Sequence, residues 1–120
     1  MRKIILFVVC LSVVSCSFSD KKVYKNLYIA NGGEFSDYPV AAIKLERGDQ
    51  INIFPFEVKD YKIEDKYLIF KCIDYYGESK FYFMEKNFDE YNYESKVTGP
   101  LNIEEFREYL KKNKIKSDWN

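Results

Sequence analysis

The fold of this chain is most constrained by a series of short apolar segments that turn residues separate. Ala41, Ile43 and Leu45 alternate with Ala42, Lys44 and Glu46, which is the period of a strand with one buried face. Ile51 and Ile53 alternate with Gln50 and Asn52 in the same way. Arg47-Gly48-Asp49 lies between the two segments and predicts a tight hairpin. Pro55 follows the second segment. Because proline cannot donate to a ladder of hydrogen bonds, it predicts a sheet edge or a bend.

The segments around this hairpin predict two more strands. Residues 23–30 are apolar and aromatic and predict the first strand of the domain. Asn31-Gly32-Gly33 then predicts a loop, because glycine pairs of this kind interrupt regular structure. Residues 61–63 predict a short strand.

The second half of the chain contains the most apolar segments. Residues 67–73 and 81–84 are apolar on both faces, which is typical of central strands. Residues 94–97 predict a last short strand, and Gly99-Pro100 predicts the end of the sheet. Consecutive strands with short turns predict an antiparallel meander.

A C-terminal helix is predicted over residues 103–113. Asn102 is a good N-cap, and Glu105 stands three residues later, which is a variant of the capping box. Leu101 and Phe106 occupy the two positions of a hydrophobic staple. The apolar stripe of this helix predicts that it packs on the sheet, and we expect Ile115 and Trp119 to extend that contact or to fray. The predicted fold class is therefore α+β, an antiparallel β-meander sheet with one C-terminal helix packed on it.

The first fifteen residues predict a secretory signal peptide. Arg2 and Lys3 give a positive start, and residues 4–14 form an almost unbroken apolar run that includes Cys10. A helix that spans a membrane needs about 20 apolar residues. The run ends at Ser15, too early for such a helix, so we expect residues 1–15 to be removed.

Val13-Val14-Ser15-Cys16 resembles a bacterial lipobox, at which the signal peptide is cut just before a cysteine that then carries lipid. The resemblance implies that Cys16 is the lipid (palmitate) attachment residue. Residues 16–22 are then a lipidated tether to a single domain over residues 23–120. The alternative is an ordinary signal peptide cut elsewhere, which leaves Cys16 without a role.

The same resemblance implies a location in the cell envelope. Several acyl chains on one cysteine hold a protein stably, whereas one chain holds it only reversibly. Ser17, rather than Asp, follows the cysteine. The resemblance then implies the outer membrane if the source has two membranes, and otherwise the outer face of the cytoplasmic membrane.

Charge and residue types argue against several functions. The chain has 19 basic and 19 acidic residues, and removal of Arg2 and Lys3 leaves 17 against 19, a net charge of −2. Without a basic block, nucleic acid is not an expected partner. The chain has no histidine. It also lacks a calcium loop, a phosphate loop and a nucleophile elbow, so we expect no metal, no cofactor and no catalytic residues.

Cys72 is the only cysteine after Cys16, and with Cys16 lipidated it has no partner for a disulfide. It lies in an apolar segment and is predicted to be a small buried hydrophobic residue. A catalytic thiolate would need a neighbouring base or cation. We therefore expect a protein that is not an enzyme.

Tyrosine is unusually frequent, with eleven Tyr beside ten Phe. Most of these aromatic residues suit the half-buried surface of a sheet. Tyr75, Tyr76, Tyr91 and Tyr93 lie in predicted turns or loops instead, where an exposed tyrosine suits contact with a partner protein or a sugar ring. The alternative is that these four tyrosines cover the edge of the sheet.

The second half of the chain resembles a family of small bacterial lipoproteins of unassigned function, over about residues 54–112. The segments that carry the resemblance are Val58-Lys59-Asp60-Tyr61, Asp65-Lys66-Tyr67-Leu68-Ile69, Phe81-Tyr82-Phe83-Met84-Glu85-Lys86, and Gly99-Pro100-Leu101 with Glu105-Phe106. The resemblance implies strands followed by a helix and supplies no catalytic residues.

These observations together predict a membrane-anchored envelope lipoprotein. Its expected role is non-catalytic binding of a protein partner in the envelope, of the immunity or inhibitor type. A glycan-binding or structural envelope module is the alternative, and an enzyme is the third candidate.

Overall fold

The structure, a computed structural model, describes residues 20–31, 38–117 and 119. The predicted signal peptide (residues 1–15), the predicted lipid-attachment residue Cys16 and most of its tether lie outside these residues. Gly32 and Gly33 of the predicted loop also lie outside them.

In the described part of the chain, eight antiparallel strands form two sheets of four strands each. The N-terminal sheet contains, in order, β1 (Lys21–Tyr24), β2 (Leu27–Asn31), β3 (Pro39–Lys44) and β4 (Gln50–Asn52). The C-terminal sheet contains, in order, β5 (Glu57–Ile63), β6 (Tyr67–Ile73), β7 (Ser79–Glu85) and β8 (Val97–Leu101). Two helices are described, α1 (Tyr93–Lys96) and α2 (Ile103–Lys112).

The α+β class and the antiparallel meander order are confirmed, but the prediction of a single sheet is wrong. The division falls between β4 and β5, where the chain passes through Pro55. The Ile53 amide still donates to the Ala41 carbonyl at 2.8 Å, and the chain then leaves the N-terminal sheet. Because proline cannot continue the ladder, the next strand starts a second sheet.

The two sheets pack face to face around the main core. The N-terminal sheet contributes apolar side chains from β1, β2 and β3, and the C-terminal sheet contributes them from β5, β6 and β7. The buried members are Val23, Leu27, Ala41, Ile43, Phe54, Val58, Leu68, Phe70, Cys72, Tyr82, Met84 and Phe88. As predicted, β6 and β7 are central strands of their sheet and are buried on both faces.

The predicted hairpin after β3 is confirmed, because β3 and β4 pair across it. The predicted pattern of one exposed face on β3 is wrong, since residues 40–43 are all buried. Ala42 lies in register between Tyr28 and Asn52 of the neighbouring strands, and β3 is an inner strand of its sheet.

The predicted first strand over residues 23–30 is instead a hairpin of two strands. Lys25 and Asn26 form its turn, and Tyr24 pairs with Leu27 across it. Lys25 has a φ of 52°, which two-residue hairpin loops require. β1 also begins at Lys21, so the sheet takes in the last two residues of the predicted tether.

The predicted last strand over residues 94–97 is wrong in its position. Residues 93–96 form α1, in which the Ser95 amide donates to the Asn92 carbonyl at 3.0 Å, and β8 follows it. Gly99-Pro100 lies inside β8 and does not end the sheet. Proline is tolerated there because β8 is an edge strand, so one side of its backbone needs no partner strand.

The predicted C-terminal helix is confirmed as α2, which ends one residue before the predicted boundary. Its capping box is complete: the Glu105 amide donates to Asn102 Oδ1 at 2.8 Å, and the Asn102 amide donates to Glu105 Oε1 at 2.9 Å. Phe106 is fully buried on the outer face of the C-terminal sheet, where it stacks on Phe81 at 4.1 Å. Ile115 and Trp119 pack against the same cluster. The domain is therefore layered as sheet, sheet and helix.

Candidate functional site

The most exposed aromatic side chains lie on two hydrogen-bonded turns. Tyr75 and Tyr76 are 75% and 89% exposed in the turn between β6 and β7, and Tyr91 is 88% exposed in the loop before α1. Burial of an aromatic ring stabilises a fold, and these three rings leave most of their surface in water. They are the candidates for contact with something outside the domain.

The turn that carries Tyr75 and Tyr76 is fixed by Asp74. One of its carboxylate oxygens accepts from the Tyr76 amide and from the Glu78 amide, both at 2.9 Å. The Gly77 amide donates to the Asp74 carbonyl at 3.1 Å. The backbone below both rings is therefore held in one conformation, which reduces the entropy lost when the rings make a contact.

Further aromatic and proline residues surround Tyr75. Its ring meets Phe56 edge to face, with ring centroids 5.6 Å apart. The Tyr38 hydroxyl donates to the Pro55 carbonyl at 3.2 Å, and a groove of about 350 Å³ runs between Tyr38 and Tyr75. We call this surface the aromatic end; it comprises Tyr38, Pro55, Phe56, Tyr75 and Tyr76. Of these residues only Tyr75 and Tyr76 were predicted from the sequence, although Pro55 between two phenylalanines was a visible signal for Pro55 and Phe56.

Tyr91 projects from a second hydrogen-bonded loop. Asp89 Oδ1 accepts from the Tyr91 and Asn92 amides, both at 2.8 Å, and Asn92 Oδ1 accepts from the Asp89 amide at 2.6 Å. The Glu90 carboxylate raises the pKa of Tyr91, first as a hydrogen-bond acceptor and then as a negative charge. The Tyr91 hydroxyl is therefore held in its protonated form as a donor to the Glu90 carboxylate.

A groove of about 400 Å³ lies beside Tyr91, against the hairpin between β3 and β4. We call its lining the Tyr91 surface; it comprises Leu45, Glu46, Arg47, Ile51, Glu90 and Tyr91. Leu45 and Ile51 are its apolar residues, Arg47 carries a positive charge, and Glu46 and Glu90 carry negative charges. The hairpin residues were predicted as a turn only, and nothing in the sequence placed them beside Tyr91.

The fourth predicted tyrosine, Tyr93, differs from the other three. It is half-buried at the start of α1 and packs against the main core. Its exposed edge lines a groove of about 420 Å³ with Phe56, Tyr82 and Pro100. The structure therefore places Tyr75 and Tyr76 together, Tyr91 on another surface, and Tyr93 mainly in the core.

The aromatic end and the Tyr91 surface lie at opposite ends of β3. Tyr38 directly precedes this strand, whereas Leu45 directly follows it. A strand of six residues spans about 20 Å at 3.4 Å per residue. The two surfaces are therefore too far apart to hold one small ligand together.

Two buried titratable groups have raised pKa values. Cys72 is buried, and desolvation raises the pKa of its thiol to about 12, so it is not a nucleophile at neutral pH. Burial also raises the pKa of Tyr82 to about 12. Within residues 20–31, 38–117 and 119, no three His, Cys, Asp or Glu side chains are grouped to hold a metal ion.

Comparison with protein-family models, curated proteins and solved structures finds no match to this chain. The resemblance to small bacterial lipoproteins therefore stays a prediction. No helix in the described part of the chain is long and apolar enough to cross a membrane.

Proposed function

We propose that this chain is a lipid-anchored protein of the cell envelope whose domain binds a protein partner without catalysis, as an immunity or inhibitor protein does. The lipobox-like sequence up to Cys16 supports the anchor. The inert thiol of Cys72 and the two exposed aromatic surfaces support binding rather than chemistry.

The observation that carries the binding role is the composition of the Tyr91 surface. Protein interfaces combine an apolar centre with a polar rim, and their strongest contacts are enriched in Tyr and Arg. Leu45 and Ile51 provide the apolar part of this groove, while Arg47 and Glu90 stand at its edge. Asp89 fixes the backbone that presents Tyr91, so the ring is pre-organised for contact.

The anchor is tested by metabolic labelling of cells with a fatty-acid analogue. We expect the natural chain to be labelled and Cys16→Ser to be unlabelled. Continued labelling of Cys16→Ser would exclude this residue as the attachment site.

The binding role is tested with the lipidated protein as bait in a detergent extract of the envelope. We expect Tyr91→Ala to lose a partner that the natural chain retains. Tyr76→Ala is the matched control, because it removes an equally exposed tyrosine from the opposite end of the domain. A partner recovered equally by both variants, or by neither, would contradict the assignment to the Tyr91 surface.

A recovered partner is then assayed for activity with and without the purified protein. Inhibition that requires Tyr91 supports the immunity or inhibitor role. Tyr91-dependent retention on a glycan array, with no protein partner, would instead favour the glycan-binding alternative.

A further inference from the structure

The predicted tether between Cys16 and the domain is very short. Only Ser17, Phe18 and Ser19 separate Cys16 from Asp20, the first described residue. A chain spans at most 3.3–3.6 Å per residue, so four residue steps reach about 14 Å in any conformation. If Cys16 carries lipid, as proposed above, the part of the domain around Asp20 must lie within that distance of the bilayer surface.

The strand register places Asp20 at the same end of the domain as the aromatic end. Lys21 pairs with Ile29, and Ile29 pairs with Ala41, so β1 and β3 run in the same direction with Lys21 level with Ala41. By this register the Asp20 backbone is level with Val40, near the start of β3, and the Lys44 side chain reaches its carboxylate from the other end of β3 by leaning over the Tyr28 ring. The aromatic end is built around that start, and the Tyr91 surface lies beyond the other end of β3.

The side chains of the aromatic end suit the boundary between lipid and water. Tyrosine rings are enriched at membrane interfaces, because they have an apolar body and a polar hydroxyl. Tyr75 and Tyr76 are the exposed pair here, and Pro55 is exposed beside them. Their positions are fixed by Asp74 and by the contact of Tyr75 with Phe56.

The charges near the tether fit an anionic bilayer surface. Lys21 and Lys22 directly follow Asp20 and are exposed, although the Lys21 ammonium lies over the Tyr61 ring, 5.3 Å from its centroid. Basic residues next to an anchor are attracted by anionic headgroups. Two nearby carboxylates of the described residues have partners inside the domain. Asp20 pairs with Lys44 at 2.5 Å, and Glu78 lies 3.7 Å from Lys80.

We infer that the aromatic end is a membrane-docking surface, which rests on the bilayer that holds the acyl chains of Cys16. Tyr75 and Tyr76 lie in the headgroup layer, and Lys22 faces anionic lipid. The domain is then oriented rather than freely rotating on its tether. The Tyr91 surface points away from the bilayer, about 20 Å further out by the length of β3.

This inference rests on the proposed anchor and is tested with the lipidated protein reconstituted in vesicles of phosphatidylethanolamine and phosphatidylglycerol. A fluorescent maleimide is attached at Glu78→Cys, in the turn that carries the tyrosines, or at Arg47→Cys in the hairpin at the opposite end. Both side chains are exposed, at 70% and 77%, so both variants are expected to fold. Cys72 is buried and does not compete for the label.

Lipids that carry a nitroxide near the headgroup are expected to quench the label at position 78 and to leave the label at position 47 unquenched. Replacement of Tyr75 and Tyr76 by serine is expected to abolish quenching at position 78, while the protein still floats with the vesicles. Equal quenching at both positions would overturn the inference, as would quenching that survives the double replacement. Failure to float with the vesicles would overturn the anchor itself, and the inference with it.

Discussion

Replacement of Phe106 by alanine tests how the helix layer is held on the sheet. Phe106 is the one fully buried residue of α2, with its ring centroid 4.1 Å from that of Phe81 and 5.4 Å from that of Phe83. Truncation of a buried phenylalanine to alanine costs about 3–5 kcal/mol of unfolding free energy. Each stacked aromatic pair contributes about 0.5–1.5 kcal/mol beyond buried area, so we expect a loss of about 4 kcal/mol.

That loss is large beside the total stability of a domain, about 5–15 kcal/mol. Urea unfolding followed by circular dichroism measures it, and hydrogen exchange of the α2 amides shows whether the helix detaches first. Phe106→Leu keeps an apolar side chain and is expected to lose less. The matched control is Arg107→Ala, which changes the exposed neighbour and is expected to stay within about 0.5 kcal/mol. A loss below about 1 kcal/mol for Phe106→Ala would refute the role of this ring as the main attachment of α2.

Four further outcomes are expected. Asn102→Ala removes the N-cap acceptor and should cost about 1 kcal/mol in urea unfolding, whereas a cost near zero would contradict the capping box. Gly99→Ala should be strongly destabilising, because Gly99 has a φ of 142° and a Cβ there would lie 2.7 Å from the Phe81 carbonyl oxygen; an unchanged melting temperature would refute this. Cys72 should resist iodoacetamide at pH 8 until the domain is unfolded by urea, and alkylation at the rate of a free thiol would show that it is not buried. The Cys72 thiol should keep its proton in the folded state up to about pH 12, whereas in the unfolded state it loses the proton above about pH 9. The free energy of unfolding should therefore fall as the pH rises between these values, and a constant urea midpoint there would contradict the raised pKa.

The parts of the fold that could be predicted are those that a local pattern determines. Residues 67–73 were predicted as a central strand and are β6 with the same bounds, because an apolar run between turn residues has few other solutions. The start of α2 was predicted because both partners of its capping box stand within four residues of the chain. For β6 and for the start of α2, the residues that determine the structure lie within the same short segment of the chain.

The parts that could not be predicted depend on contacts between distant segments. The turn at Lys25 and Asn26 was missed because it lacks glycine, so the apolar residues around it looked continuous. The division into two sheets depends on which strand faces pack together, and the period of a strand carries no information on that choice. The candidate site shows the same limit. The exposure of Tyr75, Tyr76 and Tyr91 followed from their place in turns, whereas the neighbours of each, Phe56 and Arg47 among them, come from other parts of the chain.

The order of strands in the two sheets has a consequence for how the chain acquires its structure. Within each sheet every strand pairs with its neighbour in the chain, so the pairings are local in sequence, which favours fast formation of each sheet. The N-terminal sheet can therefore complete its hydrogen bonds as soon as β4 is available. The face of this sheet that carries Leu27 and Ile43 remains exposed to water until the C-terminal sheet has formed and packed on it. While that face is exposed, the chain is most prone to aggregate. Slower synthesis of the residues after Pro55 would prolong this stage of folding.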